Sequence, residues 1–174
     1  MLIFLIGYMG CGKSTIGRKL TQRLGWKLVD TDRVIEQNEG CTVAEIFDSR
    51  GEEYFREMER GVVDTLSHQS DDCIVSTGGG LPIWGDNMEL LNRVGVTVYL
   101  NRTAENIASR LSANGRYKRP KLRGLNDEEL VQFMSENIAL REPTYKKATL
   151  VIDAVPLGDD AILDIIVKHI KSHK

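Results

Sequence analysis

The fold is decided near the start of the chain by residues 2–14, which read LIFLIGYMGCGKS. The first five of these residues are all apolar, as in a parallel strand that is buried on both faces. Residues 7–14 match the pattern G-x-x-x-x-G-K-[ST] at every fixed position. A helical pattern follows, with Ile16, Leu20 and Leu24 recurring every fourth residue. A glycine-rich loop between a buried strand and a helix predicts a site for the phosphates of a nucleoside triphosphate.

Each residue type in this loop has a chemical reason. Gly10 and Gly12 let the backbone curl so that its N–H groups face phosphate oxygens. Lys13 can reach the β- and γ-phosphates, and the hydroxyl of Ser14 can ligate Mg²⁺. Cys11 is interpreted as a small residue that fits the loop. The alternative interpretation is a plain glycine-rich turn with an exposed lysine.

Composition narrows the class of protein. The 174 residues carry 23 Lys and Arg against 25 Asp and Glu, a net charge of −2. Proteins that bind nucleic acids or membrane surfaces usually show a basic excess, so neither partner is expected. The longest apolar run, residues 2–6, has no basic leader and is far shorter than the ~20 residues that span a bilayer. Three cysteines without a C-x-x-C pair favour reduced thiols and a cytoplasmic location, and we expect a monomer.

Short apolar runs alternate with segments of helical period along the whole chain. Strands are predicted at residues 2–6, 27–30, 73–77, 97–100 and 150–152. This alternation predicts an α/β fold with a parallel sheet and helices on both faces, in one domain over residues 1–174. Two segments depart from the pattern. Residues 33–68 are mostly helical, and residues 112–124 contain five cations without an acid.

The ends and faces of several helices are also predictable. A helix over residues 13–24 should end at Gly25, the residue type that favours a left-handed C-terminal cap. Another, over residues 127–141, should begin with Asn126 as its cap and Glu129 at its third position. The last helix should begin near residue 159 and bury one apolar stripe, formed by Ile162, Ile165, Ile166 and Ile170.

Two aspartates end the second predicted strand. Asp30 and Asp32 are two residues apart, so on a strand both side chains point the same way. We expect both carboxylates to face the crevice at the carboxyl end of the sheet, where ligands bind in α/β proteins. Asp30 is placed to hold the water shell of a metal ion, and Asp32 to accept a proton from an acceptor hydroxyl. An Asx turn at the strand end is the alternative.

Glycines and arginines mark the other candidate positions. The third predicted strand is followed by Gly78, Gly79 and Gly80. Such a run indicates either a place where a ligand approaches the backbone closely or a flexible turn. Arg56 and Glu59 lie on one helix face, which is typical of an exposed ion pair of little energetic value. For Arg141, the alternative to a binding role is an ordinary cation at the end of a helix. Arg119, in the basic segment, belongs either to a solvated loop or to a lid that closes over phosphate.

Taken together, these motifs resemble those of the shikimate kinase family over nearly the whole chain. The matching segments are GYMGCGKST at 7–15, DTD at 30–32, GEEYFR at 51–56, TGGG at 77–80, KRP at 118–120 and REPTY at 141–145. The resemblance implies a sheet of five parallel strands in the order 2-3-1-4-5. It also implies ATP-dependent phosphorylation of the 3-hydroxyl of shikimate, on the route to chorismate and aromatic amino acids, with ATP as co-substrate and Mg²⁺.

The resemblance also implies a role for each matching residue. Lys13, Asp32 and Arg119 would be catalytic, with Ser14 and Asp30 at the metal. The nucleotide would be bound by Gly10, Cys11, Gly12, Lys13, Ser14, Thr15, Arg110, Arg119 and Pro156, of which Arg110 and Pro156 would flank adenine. Shikimate would be bound by Asp32, Arg56, Gly78, Gly79, Gly80 and Arg141, with Arg56 and Arg141 on its carboxylate, where a guanidinium offers two-point contact. Glu59 would orient Arg56, and the ring of shikimate would be enclosed by Phe47, Phe55 and Pro120. The acceptor-binding segment would be residues 33–68, and the lid would be residues 112–124.

Other functions use the same phosphate loop. A gluconate-type or nucleotide kinase is the nearest alternative, but the paired arginines and the glycine run favour an acceptor that is both a polyol and a carboxylate. A GTP-dependent switch would need a guanine-reading Asn-Lys-x-Asp segment, and residues 101–104 read NRTA instead. An ATP-binding domain without catalysis would not explain Lys13, Ser14 and Asp32 together.

Overall fold

The structure is a computed structural model that describes residues 1–111, 122 and 124–172. Five parallel strands form one sheet in the order β2-β3-β1-β4-β5. The strands are β1 (Leu2–Ile6), β2 (Lys27–Asp30), β3 (Cys73–Ser76), β4 (Val96–Asn101) and β5 (Leu150–Asp153). The helices are α1 (Lys13–Leu24), α2 (Thr31–Glu39), α3 (Val43–Ser67), α4 (Asn87–Val94), α5 (Ala104–Arg110), α6 (Asp127–Tyr145) and α7 (Asp159–Lys171), with a 3₁₀ turn at Leu81–Ile83. The predicted fold class and strand order are confirmed.

The central strand β1 supplies both apolar cores. Alternate residues of a strand point to opposite faces, so Ile3 and Leu5 enter one core while Phe4 and Ile6 enter the other. The first core contains residues from α1, α5, α6 and α7, and the second contains residues from α2, α3 and α4. This arrangement explains why β1 is apolar at every position: it is covered on both sides.

The predicted caps are present. Gly25 ends α1 with φ 71°, and its N–H donates to the carbonyl of Thr21. Asn126 and Glu129 form a reciprocal capping box at the start of α6. That helix continues past the predicted end at residue 141 as far as Tyr145, with Pro143 inside it.

The predicted stripe on α7 is partly wrong. Ile162, Ile166 and Ile170 are buried as expected, together with Leu163, whereas Ile165 is 37% exposed. At about 100° per residue, Ile165 lies on the flank of the helix, away from the direction shared by the other four side chains. The prediction that Ile165 is buried was based on its hydrophobicity and was wrong.

Two local features shape the region between β2 and β3. The long helix α3 is interrupted at Gly51, whose φ of 82° and ψ of 173° separate residues 43–50 from residues 52–67. The predicted third strand ends one residue early, at Ser76, and the glycine run begins two residues later.

Among the described residues, no helix is both long and apolar enough to cross a membrane.

Candidate active site

The phosphate loop lies at the carboxyl end of β1 and opens into a cavity of about 370 Å³. Gly10 and Gly12 adopt φ of 80° and 106°, a left-handed backbone that favours glycine. Lys13 is buried, and its Nζ donates to the carbonyls of Gly7 (2.8 Å) and Tyr8 (3.0 Å). The cavity is lined by Met9, Gly10, Gly12, Lys13, Ser14, Thr15, Asp30, Asp32, Ser76, Thr77, Gly78, Gly79 and Arg110. It therefore brings most of the predicted nucleotide residues together with Asp32 and the glycine run.

Hydroxyl and carboxylate oxygens meet beside the loop. The Oγ of Ser14 lies 3.4 Å from Oδ2 of Asp30 and 3.2 Å from Oγ of Ser76. Hard oxygen ligands of this kind suit Mg²⁺, which keeps several waters and binds substrate phosphates as well. Among the described residues, no cluster of three or more His, Cys, Asp or Glu side chains is arranged to hold a metal. The site fits an ion that is held mainly by phosphate oxygens and water.

Asp32 reaches the cavity in a different way from the one predicted. The strand β2 ends at Asp30, which caps α2 by accepting from the N–H of Arg33, so Asp32 lies in the first helical turn. Asp30 and Asp32 are therefore not alternate residues of one strand, as predicted, because the backbone becomes helical at Thr31. Both carboxylates nevertheless line the same cavity.

The environment of Asp32 disfavours its charge. Its Oδ1 is buried and has no hydrogen-bond partner among the described residues. Burial, reinforced by the negative charge of Asp30, raises the pKa of Asp32 to about 6, although the positive charge of Lys13 opposes the shift. A carboxylate with this pKa is mostly ionised near neutral pH and remains a competent proton acceptor.

Arg56 is held by two carboxylates on α3. Its Nη1 lies 2.5 Å from Oε2 of Glu59, and its Nη2 lies 2.9 Å from Oε1 of Glu52. The side chain of Glu59 is fully buried and that of Arg56 is 11% exposed, so the alternative interpretation of an exposed ion pair is wrong. Helical spacing shows which residues share a face but not what covers that face. Burial raises the pKa of Glu59 to about 7 despite the charge of Arg56.

Aromatic rings support this guanidinium. The Cζ of Arg56 lies 5.8 Å from the ring centroid of Phe47 and 5.4 Å from that of Phe55, and the two rings contact each other at 4.8 Å. Rings at these distances favour a cation and limit its motion. The same guanidinium lies next to Gly80 of the glycine run.

The side chains of Asp32, Arg56, Glu59 and Arg141 all approach the glycine run. A Cβ added to Gly80 would overlap the guanidinium of Arg56, and one added to Gly79 would lie 3.7 Å from Nη1 of Arg141. A Cβ on Gly78 would overlap Oε1 of Glu59 and lie 2.9 Å from Oδ1 of Asp32. The three glycines thus leave room for two arginines and two carboxylates around one short backbone segment.

Side chains from other elements fix the position of this segment. The N–H of Gly78 donates to Oγ1 of the buried Thr31 at 3.0 Å. The hydroxyl of Tyr145 donates to the carbonyl of Gly79 at 2.6 Å. Arg141 lies one helical turn before Tyr145, and its Cζ is 5.5 Å from the ring centroid of Tyr8 in the phosphate loop. The loop and the glycine run are therefore connected through α6.

Several residues of the site were not predicted from the sequence, namely Thr31, Glu52, Ser76, Thr77 and Tyr145. Ser76 and Thr77 carried a usable signal, because they are polar residues at the carboxyl end of a buried strand. Thr31 and Tyr145 lie inside motifs that drew attention only to their charged neighbours. Glu52 had no signal that distinguished it from an ordinary helical surface residue.

The remaining predicted residues are distributed as follows. Arg110 lines the cavity, and its guanidinium lies near Gly12, where an added Cβ would be 3.6 Å from Nη2. Pro156 is exposed and is not part of the cavity lining. Arg119 and Pro120, with almost all of the predicted lid over residues 112–124, lie outside the described residues.

Comparison with known proteins is consistent across three kinds of match. The family model for shikimate kinase matches residues 9–171. A shikimate kinase from Parabacteroides distasonis is 43% identical over 152 residues, which cover 87% of this chain and 87% of the relative. Another from Bacteroides fragilis is 38% identical over 97% of this chain and 93% of the relative.

Solved structures give the same result. The crystal structure of a shikimate kinase from Bacteroides thetaiotaomicron superposes with a TM-score of 0.86 at 36% identity, covering 99% of this chain and 97% of that chain. A shikimate kinase from Acinetobacter baumannii, solved in complex with shikimate, gives a TM-score of 0.84 at 32% identity, covering 99% and 94%. With the phosphate loop, the glycine run and the strand order in place, this chain belongs to the shikimate kinase family.

Proposed function

We propose that this chain transfers the γ-phosphoryl group of ATP to the 3-hydroxyl of shikimate, giving shikimate 3-phosphate and ADP. The observation that carries the proposal is the shared cavity, in which Lys13 and Ser14 of the phosphate loop face Asp32 and the glycine run. A phosphate loop alone is compatible with a switch or a motor. The half-buried carboxylate of Asp32, which lines the same cavity, would supply what a kinase needs, a group that orients an acceptor hydroxyl.

The proposed acceptor side matches a molecule with a carboxylate and hydroxyls. Arg56 and Arg141 approach adjacent glycines from α3 and α6, so one carboxylate lying over the glycine run would reach both guanidiniums. Asp32 would then accept a hydrogen bond from the reacting hydroxyl. Phosphoryl transfer is largely dissociative, so Asp32 chiefly orients that hydroxyl and takes its proton late.

The proposed donor side depends on an exchange of partners at Lys13. The ammonium group of Lys13 donates to two loop carbonyls, and a β- or γ-phosphate would compete with these carbonyls for its N–H groups. Ser14 would hold Mg²⁺ directly and Asp30 through water. The ion would neutralise charge on the transferred phosphoryl group. Gly10 to Thr15 would surround the phosphates through backbone N–H groups.

Further proposals concern the parts of the site that lie around this centre. Arg110 would contact adenine with Pro156, and Arg119 would reach the phosphates from a lid over residues 112–124. Residues 33–68 would form the acceptor segment within a single domain over residues 1–174. The protein would act as a cytoplasmic monomer without nucleic-acid or membrane partners.

The decisive experiment is a coupled assay of ADP release with Mg²⁺-ATP and, in separate reactions, shikimate, gluconate, AMP or no acceptor. We expect turnover with shikimate only, and a product that carries one phosphoryl group. Asp32→Asn serves as the matched control, because it keeps the shape of the side chain but cannot take a proton. ADP release that is independent of the acceptor, or equal with gluconate, would contradict the proposal.

A further inference from the structure

A buried arginine lies directly behind the phosphate loop. Arg102 follows β4 and is only 4% exposed. Its Nε donates to the carbonyl of Cys11 at 2.9 Å, and its Nη1 donates to Oδ1 of Asn106 at 2.9 Å. Among the described residues, no carboxylate forms an ion pair with it. A buried charge is costly unless it is well hydrogen-bonded, so this arginine needs an explanation.

We propose that Arg102 is a positioning residue of the phosphate loop, which holds the Cys11–Gly12 peptide so that the N–H of Gly12 faces the phosphates. In a trans peptide the carbonyl and the following N–H point in opposite directions. Cis peptide bonds are absent from the described residues. A carbonyl of Cys11 that is held towards Arg102 therefore directs the N–H of Gly12 to the opposite side.

The opposite side is the cavity. Gly12 lines the cavity and Arg102 does not. The next peptide is fixed independently, because the carbonyl of Gly12 accepts the first hydrogen bond of α1, from the N–H of Ile16 at 2.9 Å. The Cys11–Gly12 peptide is instead oriented by a side chain from outside the loop and α1, that of Arg102.

This peptide has conformational freedom that makes such an anchor useful. Gly12 has φ of 106°, in a region that glycine enters and leaves at little cost. A loop of glycines can rotate its peptides unless something holds them, and a rotated Cys11–Gly12 peptide would present a carbonyl to an anionic ligand. The guanidinium prevents this rotation with a charge-assisted hydrogen bond.

Asn106 completes the anchor. It lies in the first turn of α5, where its own N–H donates to Oγ1 of Thr103, and it accepts from Nη1 of Arg102. The guanidinium is thus held on one edge by a helix and presents Nε to the loop. Burial, together with the nearby charge of Arg110, lowers the pKa of Arg102, yet a guanidinium remains protonated in proteins.

The inference rests on the proposed function only in that the loop binds phosphates, so it is tested without shikimate. Binding of ADP and of adenosine is measured by calorimetry or competition for the unmodified protein and for Arg102→Met, Arg102→Lys and Asn106→Ala. Arg102→Met removes the donor and the charge. Arg102→Lys keeps a charge but lacks the Nε donor, and Asn106→Ala leaves the bond to Cys11 in place.

We expect the Kd for ADP to rise about tenfold or more in Arg102→Met, because this variant loses one charge-assisted hydrogen bond that holds the loop. Arg102→Lys should show most of the same loss, Asn106→Ala less than threefold, and the Kd for adenosine should stay within twofold throughout, because adenosine has no phosphate. A lower melting temperature with unchanged affinity for ADP would show a purely structural role and overturn the proposal. Equal weakening of ADP and adenosine would also overturn it. If Arg102→Met does not fold, Arg102→Lys decides by the same criteria, and a failure of shikimate turnover alone would not affect the result.

Discussion

The two halves of the cavity are built in opposite ways. The proposed phosphate side is built mainly from one continuous segment, residues 7–15, which follows a strand and leads into a helix. The proposed acceptor side is assembled from α2, α3, α6 and the segment after β3, and its candidate binding groups are charged side chains. One half is local in sequence and the other is local only in space.

The two halves also treat charge differently. On the phosphate side the cation Lys13 is satisfied by loop carbonyls within six residues of it. On the proposed acceptor side the half-buried Asp32 and the buried Glu59 each keep one buried oxygen without a hydrogen-bond partner among the described residues, and desolvation raises the pKa of both. Burial of these carboxyl groups disfavours their ionised forms, so we expect the proposed acceptor half to be the less stable part of the site.

The largest effect is expected from Asp32→Asn. Loss of the proton acceptor should lower kcat about 10²–10⁴-fold with a much smaller change in the KM for ATP. Glu36→Gln is the matched control, since Glu36 lies one helical turn away on α2 and its carboxyl oxygen accepts from the N–H of Val43, a role that an amide oxygen keeps. Steady-state kinetics with both substrates varied give the answer. Near-normal kcat in Asp32→Asn would remove its catalytic role.

A smaller effect, confined to the acceptor, is expected from Arg56→Lys. The planar fork is lost but the charge remains, so the KM for shikimate should rise about 10–100-fold while the KM for ATP stays within twofold. Arg50→Lys is the control, because Arg50 lies on the same helix but pairs with Glu39 and packs over the ring of Tyr54. Equal changes in both KM values would show that the two halves are not separable.

Arg56→Ala would be a poorer test on its own. Removing one partner of a buried ion pair leaves Glu59 uncompensated, and such losses destabilise proteins by about 3–5 kcal/mol. The double variant Arg56→Gln with Glu59→Gln avoids an isolated buried charge. If that variant folds with a normal melting temperature and still has a raised KM for shikimate, the effect belongs to binding rather than to stability.

The contrast between the halves explains how much the sequence predicts. The strand β1, the loop and α1 form a contiguous pattern, and their bounds were predicted to the residue. The strand order is not contained in any local pattern and came from the resemblance to a family. The burial of Glu59 and the helical position of Asp32 were missed, because both depend on how α2 and α3 pack against the sheet after the chain has turned.

The pH dependence of kcat should report the acceptor half. Asp32 must be ionised to accept a proton, and its pKa is raised to about 6, so kcat should fall as the pH is lowered through that value. Glu59 has a pKa of about 7 and interacts with Asp32, so the acid limb belongs to the pair and should lie between about 6 and 7. In Glu59→Gln only Asp32 titrates, and the limb should lie near 6, because burial and the charges of Asp30 and Glu36 raise the pKa of Asp32 without a contribution from Glu59. An acid limb near 4 in the unmodified protein would show that Asp32 is not buried in solution.

The smallest and most direct test of the contrast is the effect of Asp32 on stability. Its pKa is higher in the folded protein than the ordinary value of 3.8, so folding disfavours its ionised form and the protein loses stability as the pH rises through about 6. Asp32→Asn removes that penalty. The variant should therefore unfold at a higher temperature than the unmodified protein at pH 8, by a difference in unfolding free energy on the order of 2 kcal/mol. The difference should vanish below about pH 4, where the carboxyl group is neutral in both states.

A matched substitution on the phosphate side, Ser14→Ala, removes no buried charge and should leave the pH dependence of stability unchanged. If Asp32→Asn were no more stable than the unmodified protein at pH 8, the acceptor half would not be strained, and the raised pKa would need another cause.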